Sequence, residues 1–243
     1  MLELLRKTEW SLFIDLVSPS FFEVLPGRVL RQEFGRLFSS TRDRAGFAAL
    51  RAARGPGLTA LGLTWTERSS KGSVSPLEDA GRRREGHAAL RLYFHQLLHW
   101  DEVVVDQRAV AFRSSGGEVL WNPKPLWTRW EPRFRDGVRD VYRGFFAGDD
   151  ARFRTGLAAM GMLAGEDVFR AVFGSDDQRA VAFSVKGFQH TFHEIFVRCR
   201  DAGAELPGGA LPLGLTLGSL YQHLEALGGT FDVRAAFAAE VDR

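Results

Sequence analysis

The stretch that most restricts the fold runs from Ser75 to Pro125, because its hydrophobic period changes within it. Ser75, Pro76 and Glu78 have the form of a helix start: an N-cap serine, a proline in the first turn and a glutamate three residues after the cap. The helix they open can run to about Trp100, through "HAALRLYFHQLLH". After it the pattern shortens to extended segments at 103–105, 109–113 and 118–121. The last two are joined by "SSGG", a turn able to take positive φ. Beyond Pro132 the helical period returns, over roughly 132–147, 149–163, 177–201, 211–228 and 231–241. A chain with one long helix, a short hairpin and then mostly helix is α+β and mainly helical.

The first third reads as helix with one strand. Residues 2–17 form a first helical candidate, Pro19 and Pro26 are each placed to open another, and "TRDRAGFAALRAARG" is a short helix stopped by Gly55 and Pro56. Leu61, Leu63 and Trp65 alternate with Gly62, Thr64 and Thr66, which argues for a strand over 58–67. "RSSKGSVSP" then reads as a linker, so the expected parts are 1–74 and 75–243.

Composition excludes several function classes. The chain of 243 residues has a net charge of +2, and only four of its basic residues are lysines: Lys7, Lys71, Lys124 and Lys186. The arginine cluster "GRRREG" at 81–86 has no interleaved stacking aromatics, so it reads as a solvated helix face and no nucleic-acid partner is expected. Charges interrupt "MLELLRKTEWSLFIDLV", which argues against a transmembrane segment or secretory leader, and a cytoplasmic protein is expected. The single Cys199 allows no internal disulfide and reads as a small buried hydrophobe. Glu166, Asp167, Asp176 and Asp177 flank helix starts, where carboxylates complement the dipole.

Histidine supplies one candidate chemistry. His95 and His99 are spaced i, i+4, and His190 and His193 are spaced i, i+3 beside Glu194, so each pair can present two rings on one helix face. "HTFHE" is not the zinc-protease His-Glu-x-x-His, and the flanking Leu92, Phe94, Leu97 and Leu98 place His95 and His99 at the edge of a core or in solvent. The reading is therefore no metal and no cofactor, with these four histidines as the alternative.

"LRLYFHQLLHWDEVVVDQRAVAFRSSGGEVLWNPKP" follows the order of a kinase catalytic region: helix, loop with an Asp, then a hairpin whose second strand ends at Asn122, where such a region carries Asp-Phe-Gly. With "VRDVYRGFFAGDDARFRTGLAAMGML" and "LPGGALPLGLTLGSLYQHLEALGGTFDVRAAF", it resembles the UbiB/AarF family of atypical, protein-kinase-like proteins over about the last 150 residues. The resemblance implies a kinase-like large lobe preceded by a reduced, divergent helical N-terminal part. It places the catalytic Asp on Asp106, the metal-binding Asn on Ala111 and the Asp of Asp-Phe-Gly on Asn122. Phosphoryl transfer needs Mg²⁺ held by oxygen ligands at the last two positions. The family's Lys-x-Gly-Gln signature is missing too.

The expected function is thus a catalytically inactive pseudokinase acting as a protein-binding or scaffold subunit, with no small-molecule substrate. The alternatives are an active atypical kinase or ATPase using Asp106, or a histidine-metal enzyme. The family's link to isoprenoid lipids suggests peripheral membrane contact through "LELLRKTEWSLFIDLV", although Glu3, Glu9 and Asp15 weaken it. "WNPKPLWTRW" occupies the place of an activation segment; it either packs into the cleft or presents Trp121, Trp127, Arg129 and Trp130 as partner-binding residues.

Overall fold

The computed structural model describes residues 19–67, 79–115, 117–173 and 180–241. In chain order it contains α1 (Pro19–Val24), α2 (Gly27–Arg42), α3 (Arg44–Arg54), a 3₁₀ segment (Gly55–Leu61), β1 (Leu63–Trp65) and α4 (Asp79–His99). There follow β2 (Glu102–Val104), a 3₁₀ turn (Ala109–Ala111), β3 (Phe112–Ser115), β4 (Glu118–Trp121) and β5 (Trp127–Arg129). The remainder is α5 (Pro132–Ala147), α6 (Asp150–Ala159), a 3₁₀ turn (Leu163–Gly165), α7 (Glu166–Phe173), β6 (Val181–Ala182), α8 (Val185–Asp201), α9 (Ala210–Leu227), β7 (Thr230–Phe231) and α10 (Val233–Val241). The fold is α+β and mainly helical, as the alternation of periods implied. Among the described residues, no helix is long and apolar enough to cross a membrane.

The expected helix 2–17, the linker "RSSKGSVSP", the Ser75–Pro76–Glu78 cap, the Gly116 position of the hairpin turn, and Asp176 and Asp177 lie outside the described residues. Several expectations are corrected. The helix expected over 177–201 begins only at Val185, after β6. The strand over 58–67 shrinks to Leu63–Trp65, because Leu58 and Leu61 are buried from a 3₁₀ segment closed by the left-handed Gly62 (φ 72°). The extended segment 109–113 begins as a 3₁₀ turn, and β5 lies where no strand was expected.

The chain divides into two compact units, the first Met1–Gly35, Trp130–Gln178 and Ser184–Gly218, the second Arg36–Arg129, Arg179–Phe183 and Ser219–Arg243. This division does not follow the expected boundary between 74 and 75. The physical reason is strand pairing: β1 runs parallel to β4, with Leu63, Thr64 and Trp65 opposite Val119, Leu120 and Trp121. A strand of the N-terminal part is thereby built into the sheet of the hairpin.

The first unit is helical. α5 and α6 pack closely because Gly137, Gly144 and Gly156 remove side chains from their contact; a Cβ on Gly156 would sit 2.6 Å from the Val141 amide nitrogen. Glu131 caps α5, accepting from the Phe134 amide at 2.7 Å, and Asp149 caps α6 through the Arg152 amide at 3.0 Å. Phe21 of α1 meets Phe196 of α8 edge to face. The buried carboxylate of Glu33 accepts from the Gly209 and Leu211 amides, satisfying the otherwise open start of α9.

In the second unit α4 is the central element. Its residues from Glu85 to Leu98 are buried on nearly every side, which explains why no single apolar stripe marks it. Arg82, Arg83 and Arg84 precede that buried stretch and are exposed, as a solvated face requires. α10 packs on α4 through Phe94 and Phe237, and Gly86 makes room for the ring of Phe231 on β7. Trp65 lies 4.7 Å from Trp121 and 6.2 Å from Trp100, centroid to centroid.

Candidate functional site

The polar loop that follows β2 is set by two pairings within the second unit. β2 lies antiparallel to β5, with Val103 opposite Thr128, and β3 lies antiparallel to β4, with Phe112 opposite Trp121. The first ladder continues through the Val105 amide to the Leu126 carbonyl at 2.9 Å. Between the pairings, the Asn122 amide donates to the Ala111 carbonyl at 2.7 Å, and the Lys124 amide donates to the Asp106 carboxylate at 3.0 Å. Of the three positions singled out in the sequence, Ala111 and Asn122 are therefore joined through their backbones, and Asp106 is tied to Lys124, two residues beyond Asn122.

Asp106 is fully engaged there. Its side chain is 2 % exposed, and Arg108 grips it with both arms, Nε to Oδ1 at 2.7 Å and Nη2 to Oδ2 at 3.1 Å. The Arg108 amide adds a longer contact to Oδ1, and the Asp106 carbonyl accepts from the Trp121 indole at 3.3 Å. A carboxylate with a buried guanidinium fork on both oxygens is charge-compensated and short of free lone pairs, so it is poorly placed to take a substrate proton. Ala111 brings only a methyl group. Asn122 is half-buried and brings a neutral amide.

The neighbouring Gln107 has no exposed surface, and neither side-chain polar atom has a partner among the described residues. Its backbone amide donates to the Ser219 hydroxyl, which itself donates to the Val105 carbonyl at 3.0 Å. One helical turn further along α9, His223 Nε2 lies 3.0 Å from Glu85 Oε1, and the Ser114 hydroxyl donates to Glu85 Oε2 at 2.7 Å. This serine–glutamate–histidine chain has the carboxylate in the middle. The order differs from a serine–histidine–carboxylate triad, because the Ser114 hydroxyl meets the carboxylate and not the imidazole. Sequence reasoning missed Glu85 and His223; the signal was a histidine set into the apolar helix "LYQHLEAL".

A second polar cluster joins α4 to α10. Glu240 Oε1 accepts from Arg91 Nε at 2.8 Å, His95 Nδ1 lies 2.8 Å from Oε2, and His99 Nε2 lies 2.9 Å from the Glu240 carbonyl. Burial pushes the Glu240 carboxyl up, but the hydrogen bonds from His95 and Arg91 outweigh it and hold the group below its ordinary value. One ligand atom from each of His95, His99 and Glu240 lies within 4.8 Å of the other two. The His95/His99 pair was legible in the sequence. Glu240, 145 residues from His95, was not.

His190 and His193 belong to the first unit and are exposed, with His193 Nδ1 lying 3.0 Å from the Ser20 hydroxyl. The tryptophan patch is corrected. Trp121 is wholly buried in the β1–β4 contact, and Trp130 is 5 % exposed in the first unit. Trp127 is half-buried with its main-chain amide on the Ser40 hydroxyl at 3.2 Å, while the Arg129 side chain is 80 % exposed. Compared with known proteins, the sequence matches no family model and no curated protein.

Proposed function

We propose that the chain is a catalytically inactive, kinase-like protein that works by binding another protein. The observation that carries this reading is the Asp106–Arg108 clamp. A phosphoryl-transfer site needs its base and metal ligands to converge on one phosphoryl group. At the positions that correspond to them in the UbiB/AarF resemblance, the base Asp106 is occupied by an arginine and one metal-ligand position is an alanine. That combination supports a kinase-like framework turned to another use and weighs against an atypical kinase using Asp106.

The candidate partner surface is reduced by burial to Trp127 and Arg129. A half-buried tryptophan and an exposed guanidinium, next to the stiffening Pro123 and Pro125, suit a protein interface. Co-purification from the host with a stoichiometric partner tests the proposal, using Arg129→Ala and Trp127→Ala as controls. Loss of that partner with Arg129→Ala, at an unchanged melting temperature, is the expected result. A partner retained by both variants while they stay folded overturns this surface, and turnover of Mg²⁺-ATP by the wild type overturns the inactive reading.

A further inference from the structure

The cluster between α4 and α10 has the composition of a metal centre. His95 and His99 stand one turn apart on a helix, a spacing that lets two imidazoles share one ion. The third group, Glu240, comes from the last helix with a side chain that has no exposed surface. All three ligand atoms fall within 4.8 Å of one another. In a tetrahedral zinc site, bonds of about 2.0–2.1 Å put the donors roughly 3.3 Å apart. The 2.8 Å between His95 Nδ1 and Glu240 Oε2 is already close to that spacing.

We propose that His95, His99 and Glu240 form a binding site for a divalent cation of the zinc class, with its remaining coordination open to water. Two imidazole nitrogens and one carboxylate oxygen are a donor set for zinc-class metals rather than for magnesium or calcium, which take oxygen. Arg91 acts as a positioning residue: it holds Oε1 at 2.8 Å and so leaves Oε2 turned towards His95. The ion takes the place of the hydrogen bond between His95 Nδ1 and Glu240 Oε2. His99 is exposed, which gives the ion an entry route and leaves solvent as the further ligand. With three protein ligands and the Arg91 charge nearby, the site binds more weakly than a four-ligand structural zinc site. The assignment is independent of the kinase-like reading.

The test is titration of untagged, chelator-stripped protein with Zn²⁺, and separately with Co²⁺, whose visible absorption reports coordination number. One equivalent of zinc, a zinc-dependent rise in melting temperature and a four-coordinate cobalt spectrum are expected. His99→Ala removes an exposed side chain, so the fold should persist, checked by circular dichroism, while zinc affinity falls at least about tenfold. Arg91→Lys should weaken zinc binding less than His99→Ala does. Absence of saturable zinc binding overturns the site. Binding that is unchanged in both His99→Ala and Glu240→Gln, or that is abolished by His193→Ala instead, also overturns it.

Discussion

At the scale of single residues, the Asp106–Arg108 pair shows how a polar position can look catalytic and be structural. Asp106 stood out in the sequence as the position of a catalytic Asp, whereas in the fold its carboxylate accepts from the Lys124 amide, as a short acidic side chain in a turn can. The guanidinium fork was not legible, because an arginine two residues away usually points into solvent. Removing Arg108 alone strands a buried charge, so Arg108→Ala should destabilise by ~3–5 kcal/mol, measured by urea unfolding. The double replacement Asp106→Leu, Arg108→Met should cost far less than the single change. Glu240 makes a pH-dependent contribution whose sign follows from its lowered pKa. Its stabilisation is present above the ordinary value of 4.5 and is lost as pH falls through the lower folded value. Glu240→Gln should therefore flatten the acid limb of a stability–pH curve and leave its alkaline limb unchanged. Burial pushes the Cys199 thiol up to about 11, so a thiol reagent at pH 8 should react only with unfolded chains.

At the scale of elements, helix existence followed from caps and punctuation, whereas helix contacts followed from residues without side chains. α5 was readable to its end residues, because Pro132 sits in its first turn and Gly148 closes it at φ 68°. The closeness of α5 to α6 was not, since a glycine in a helix carries no mark of what it faces. Gly156→Ala raises helix propensity by up to ~1 kcal/mol, yet its methyl meets the Gly137 carbonyl and Val141 amide, which are backbone atoms and cannot turn aside. A net loss of ~1–3 kcal/mol is expected in thermal or urea unfolding. A gain in stability would mean the two helices can separate freely. α9 depends on a partner distant in sequence: Glu33→Ala removes the acceptor for the Gly209 and Leu211 amides. Hydrogen exchange at the first turn of α9 should accelerate in that variant well beyond the change seen at α5.

At the scale of the whole molecule, binding of a nucleotide to the native state would raise global stability, which makes the inactive reading measurable without an assay for a reaction. Millimolar ATP with Mg²⁺ should leave the melting temperature unchanged, while a Mg²⁺-dependent rise of several degrees would overturn the proposal. The sequence by itself determined the α+β, mainly helical class, the placement of most helices and a hairpin across "SSGG", because periodicity, proline and glycine act over a few residues. It also identified His95 and His99 as neighbours, one helical turn being a local fact. Only the tertiary structure decided that β1 joins the hairpin sheet and that Trp121 and Trp130 are interior. It likewise decided that Arg108 closes on Asp106 and that Glu240 completes the histidine pair. Each of these turns on which distant surfaces meet. That is governed by the burial of apolar area, which no single segment encodes, and by the need of every buried charge for a partner.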